Sequence, residues 1–185
     1  MCELWLRLDE RSNSLDNLEM CAHFLEALPD PIRWKWAIIA LHQTLYGFAV
    51  AAVQGTDSWS VLKDPANPNS HLISIWTAIE RARDSAYLWP GGRPLVTSEV
   101  EVKAIEKLVK EFRNGFEHFS PTAWSIEVSG MPTILERVLR VVEGVAIATR
   151  SVRYEDDKQE VAARTAIGRV RAAIGSRPMS NGEQT

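Results

Sequence analysis

The segment Glu111-Phe112-Arg113-Asn114-Gly115-Phe116-Glu117-His118-Phe119-Ser120-Pro121 gathers an arginine, an amide and a histidine, three side chains that together can handle a phosphate. A guanidinium offers a rigid fork of donors that matches phosphate oxygens and stays charged at any physiological pH. An imidazole, with an unperturbed pKa of about 6.5, gives and takes protons near neutrality. In this pattern Arg113 would grip a phosphate on which charge develops, and His118 would transfer protons. Upstream, Lys103, Lys107 and Lys110 recur at helical spacing and would track a phosphate backbone as substrate-binding residues.

A helix must position these groups. Ser98-x-x-Glu101 is a capping box, and the periodic stretch behind it runs to about Phe119, short of Pro121. At about 100° per residue, Ile105, Leu108, Val109, Phe112, Phe116 and Phe119 collect on one side. Asn114 and His118 lie opposite with the three lysines, while Arg113 sits on the flank, about 140° from His118. Two readings of this outward face stand. It is a solvated face laced by Glu99/Lys103 and Glu106/Lys110 pairs, with His118 near a helix C-terminus where its charge is favoured. Alternatively, it is one wall of a cleft that binds and cuts a phosphate chain. Because Arg113 and His118 diverge around a straight helix, one subunit converges them only if the helix unwinds after Gly115. A two-fold homodimer solves this by bringing two outward faces together across one cleft.

Around that helix almost every periodic segment repeats at helical spacing, which predicts an all-α fold: an antiparallel up-and-down bundle of about four core helices, with short N-terminal and C-terminal helices. Residues 1–29 form an N-terminal segment whose helix, from about Leu15 to Leu28, is started by Ser14 and ended by Pro29. Residues 30–175 form the bundle and 176–185 a disordered polar tail, all in one domain. Asp30-Pro31 opens a long core helix that runs to Gly55 with Trp34, Ile38, Leu41, Leu45, Phe48 and Ala52 inward. Trp36, about 200° from Trp34, faces another element, a partner or solvent, and His42 reads as a core or interface histidine hydrogen-bonded to a neighbour. A Pro/Asn-rich loop from Gly55 to Ser70 leads to a helix with Leu72, Ile73, Trp76 and Ile79 inward, broken at Trp89-Pro90-Gly91-Gly92-Arg93-Pro94. An extended piece around Trp124 to Glu127 precedes a helix started by Pro132, with Ile134, Val138, Val141, Val145 and Ala148 inward. A charged helix follows from about Asp157 to Ile174, its Arg164, Arg169 and Arg171 facing solvent.

Composition narrows the function classes. With 185 residues, 45% hydrophobic and 24% charged, the chain is neither a disordered tail nor a collagen-like repeat. Its two cysteines, Cys2 and Cys21, form no C-x-x-C pair and read as reduced thiols, pointing to the cytoplasm; no signal peptide is expected at Met1-Cys2-Glu3-Leu4-Trp5. The apolar run Ala37 to Val53 is broken by His42-Gln43-Thr44 and reads as a buried helix, with no membrane partner expected. No P-loop, G-x-S-x-G elbow, H-E-x-x-H or G-x-G-x-x-G is present, and the scattered histidines predict no metal and no cofactor. A net charge of -3 argues against strong nonspecific nucleic-acid binding and leaves any basic surface to a local strip.

Arg113-Asn114 followed by His118, wrapped as Phe-Arg-Asn-x-x-x-His-Phe at the end of a core helix, resembles the R-x4-6-H motif of the HEPN superfamily, and the continuation Ser120-Pro121-Thr122-Ala123-Trp124-Ser125-Ile126-Glu127 is similar to bacterial members. The likeness spans roughly residues 30–150 by helix order. It implies a dimerising helical bundle that cuts RNA without a metal ion, in toxin–antitoxin or phage-defence settings. By this resemblance Arg113 binds the scissile phosphate, His118 is general acid or base for attack by the 2′-hydroxyl, and Asn114 orients one of them, leaving a 2′,3′-cyclic phosphate. The partners it implies are an RNA substrate, a second copy of the chain and an antitoxin protein. The superfamily also holds non-catalytic members, so the alternative is a helical dimer that binds nucleotide, RNA or a protein partner.

Overall fold

The computed structural model describes residues 6, 8–27, 30, 32–67, 69–117 and 125–176. Cys2, Leu28, Pro29, Pro31, His118, Phe119, Pro121, Trp124 and the tail from 177 lie outside the described residues. Among the described residues the fold is all-α, and the sole extended pairing is an isolated bridge between Leu62 and Leu72.

The first helix, α1 (Glu10–Glu26), starts earlier than the spacing around Ser14 predicts. Asp9 and Ser12 cap reciprocally: the Asp9 carboxylate accepts the Ser12 N–H at 2.7 Å, and Ser12 Oγ accepts the Asp9 N–H at 2.9 Å. Ser14 therefore falls inside the helix, buried, with its hydroxyl donating to the Glu10 carbonyl. It packs where α2 (Ile32–Val53) presents Gly47, and a Cβ at Gly47 would land on the Ser14 hydroxyl.

Asp30 caps α2 as expected, its carboxylate accepting the Ile32 N–H at 3.2 Å, and Gly55 ends the segment at φ +58°. Trp34, Ile38, Leu41, Leu45, Phe48 and Ala52 are all buried. The helix is apolar nearly all round because it is central: α1, α3 (Ile75–Ala82) and α6 (Met131–Glu143) all pack on it. It is long and apolar enough to cross a membrane, and 72% of its most apolar window is buried within the molecule.

Ser74 caps α3, so Ile75, Ala78, Ile79 and Ala82 face inward. Two expectations fail here. Leu72 precedes the helix and is exposed, held by the bridge to Leu62, and Trp76 is half-buried at the edge of the core. Next comes α4 (Glu99–Lys107), opened by Glu101, whose carboxylate accepts the Ser98 N–H at 2.7 Å. In α6, Val138, Val141 and Val145 are buried as expected, but the last turns, Gly144–Ala148, are π-helical. Ala148, within that widened segment, is exposed, and Ile134, ten residues ahead of the segment, is half-buried at the edge of the core. The final helix, α7 (Asp157–Gly175), is capped by Asp156 and packs on α1 and α6.

Candidate functional site

The helix carrying Arg113 is not the straight rod assumed in the spacing argument. From Leu108 to Arg113 it widens into a π-helical segment, and the Asn114 N–H reaches back to the Val109 carbonyl, five residues away. A short α-helical turn, α5 (Asn114–Glu117), follows. Each π turn holds one residue more than an α turn, so everything after it swings back by about 100° relative to α4. The surfaces agree with that rotation. Lys103, Lys107 and Lys110 are exposed, whereas Asn114, expected on their face, is half-buried together with Arg113.

Arg113 and Asn114 work as a unit, the guanidinium Nη1 donating to the Asn114 side-chain oxygen at 3.0 Å. The π segment packs on α2, whose His42 is 5% exposed. Burial, with the Arg113 charge adding to it, pushes the His42 pKa down to about 4, so the imidazole is neutral at physiological pH. The expected hydrogen bond from His42 to a neighbour is not made at Nδ1, which is buried with no partner among the described residues. Its surroundings explain this: the helix is apolar nearly all round, and the ring lies 6.4 Å from that of Tyr46, whose hydroxyl instead donates to the Ile73 carbonyl at 2.6 Å.

Lys103 and Lys110 are engaged with local carboxylates. Lys103 meets Glu99 at 2.6 Å and holds that carboxyl below its ordinary pKa, and Lys110 meets Glu106 at 3.4 Å. Lys110 also lies 5.9 Å from the centre of the Trp76 ring, and Lys107 lies 5.8 Å from that of Phe112. Exposed pairs of this kind are weak and exchange partners readily, so a phosphate chain can compete for both lysines. The α7 arginines are similarly paired: Arg164 with Glu160, Arg169 with Glu26 and Arg171 with Glu143.

The structure thus pairs Arg113 with Asn114 and sets the Arg113 charge near enough to His42 to bear on its titration, while Lys103, Lys107 and Lys110 stay exposed; His118 lies outside the described residues. His42 and Trp76 are groups that periodicity assigned to the core and not to a site. The single imidazole inside an apolar helix was the available signal for His42. Among the described residues no three His, Cys, Asp or Glu side chains gather as a metal site. Compared with protein-family models, curated proteins and solved structures, the chain finds no match in any of the three.

Proposed function

We propose that this protein is a metal-independent endoribonuclease of HEPN type, acting in the cytoplasm as a homodimer, in a toxin–antitoxin or phage-defence setting with an antitoxin protein as partner. The observation that carries the reading is the Arg113–Asn114 unit, a guanidinium held by its neighbour at 3.0 Å where a π-helical segment gives way to an α turn. Such widened turns recur at functional sites, because they aim side chains that a regular helix would send elsewhere.

In the proposed reaction the 2′-oxygen bonds to phosphorus, the bond to the 5′-oxygen breaks, and a 2′,3′-cyclic phosphate remains. A base takes the proton from the 2′-hydroxyl, and an acid returns one to the departing 5′-oxygen. His118 fills one of these roles, a contribution typically worth 10²–10⁴ in rate. Arg113 neutralises charge developing on the phosphoryl oxygens, with less loss of freedom because Asn114 already holds one of its donors. The neutral His42 behind it adds no competing positive charge. A second reading, a non-catalytic helical dimer binding nucleotide, RNA or protein, is favoured by the pairing of Lys103 and Lys110 with Glu99 and Glu106.

Incubating the purified protein with mixed RNAs in EDTA, beside Arg113→Ala and His118→Ala, separates the two. The nuclease reading expects cyclic-phosphate ends from the parent and at least a hundredfold loss in each variant. Intact RNA in all three reactions, or variants that cut as well as the parent, would sink it.

A further inference from the structure

Between α3 and α4 lies a half-open cavity of about 250 Å³, walled by Trp76, Ile79, Val102 and Ile105, with Glu80 and Arg83 at its polar edge. Its lining suits an aromatic ring. The indole gives a stacking face, the aliphatic side chains give a dry floor, and the Glu80 carboxylate offers two acceptor oxygens side by side. Cations flank it on both sides. Lys110 stands at the Trp76 end, and Arg83, which donates to the Thr97 hydroxyl, leads into a second, more open cavity of about 490 Å³ lined by Leu95 to Glu99 and Val102. The groove shares its helix with the proposed chemistry: Ile105 and Lys110 precede Arg113 by eight and three residues.

We propose that this cavity is a nucleobase subsite for single-stranded RNA, in which a guanine stacks on Trp76 with its Watson–Crick edge on the Glu80 carboxylate and its flanking phosphates near Lys110 and Arg83. The ligand class rests on the nuclease reading; the choice of base rests on Glu80. Only guanine presents two donors in parallel, N1–H and the 2-amino group, to a carboxylate. Adenine and cytosine each set an acceptor beside their amino group, and uracil flanks its single N–H with carbonyls. Single-stranded sites of this kind combine base stacking with backbone cations.

The test uses the full-length His118→Ala protein, so that RNA is bound without being cut, and fluorescence anisotropy with labelled uridine decamers that carry or lack one central guanosine. The subsite predicts at least tenfold tighter binding of the guanosine decamer. Glu80→Gln, a surface change, should abolish that preference, Trp76→Ala should weaken both decamers, and Trp76→Phe should restore most of the affinity even if Trp76→Ala folds poorly. Equal binding of the two decamers, no binding of either, or a preference untouched by Glu80→Gln and Trp76→Phe/Ala would overturn the proposal. RNA cleavage by the parent protein is scored separately. A protein that cuts RNA without this preference refutes the subsite and leaves the nuclease reading standing, whereas one that binds with it but never cuts supports the subsite and refutes the nuclease.

Discussion

Below pH 6.5 an unfolded chain takes up a proton at His42 that the folded chain refuses until about pH 4. A base whose folded pKa is depressed supports stability fully above its unfolded pKa, and that support is lost as pH falls toward the folded value. Stability should therefore drop between pH 6.5 and 4 by roughly 2–3 kcal/mol from this one group. Urea unfolding of the parent at pH 7 and 4.5, set beside His42→Gln, isolates the effect, since other carboxylates and histidines titrate alike in both proteins. The two proteins should differ in their pH dependence by about that amount, and identical pH profiles would mean that His42 is not held neutral. The same residue explains why the Arg113 surroundings tolerate a half-buried guanidinium: an imidazolium beside it would add like-charge repulsion in a region poor in water.

The decisive element is the π-helical segment from Leu108 to Arg113. It lies between the exposed Lys103 and Lys107 of α4 and the half-buried Arg113–Asn114 unit, and rotates one against the other. Deleting Glu111, an exposed residue within it, lets the ladder close to regular α spacing and turns Arg113 through about 100°. The deletion variant should keep its far-ultraviolet circular dichroism and lose RNA cleavage as completely as Arg113→Ala. Retained cleavage would show that the widened segment has no part in aiming the arginine. The opposite end of the same helix behaves by local rules, since Ser98 and Glu101 cap it wherever it packs.

At the scale of the molecule, α2 is the hub on which α1, α3, α6 and the π segment pack, and that placement makes its apolar run a core rather than a surface. One strip of it stays open: Ile32 is exposed, and Trp36 is 45% exposed while stacking on Phe24 of α1. The proposed site shared between subunits makes association a condition of activity, and complementation tests it. If each proposed site draws Arg113 from one subunit and His118 from its partner, Arg113→Ala and His118→Ala proteins, each inactive alone, should recover cleavage when refolded together. Light scattering should give twice the chain mass of 20.8 kDa for the active species. A monomer that cleaves RNA, or a mixture that stays inactive, would refute the shared site.

Much of this architecture was readable from local chemistry. The Asp30 and Ser98/Glu101 caps, the inward stripe of α2, the Gly55 stop and the Glu99/Lys103 and Glu106/Lys110 pairs all depend on residues within one or two turns of each other, so their spacing alone is enough to find them. Asp9 displacing Ser14 as the first cap is a competition within the same range. The arrangement around Arg113 is of another kind. Spacing arguments assume a constant rotation per residue, and one widened segment breaks that assumption for everything beyond it. Likewise, which helix covers His42 and which edge leaves Trp76 facing a cavity depend on contacts between residues far apart in the chain. Those contacts exist only once the helices have packed, and packing placed the arginine beside a neutral imidazole and left a groove where periodicity predicted core.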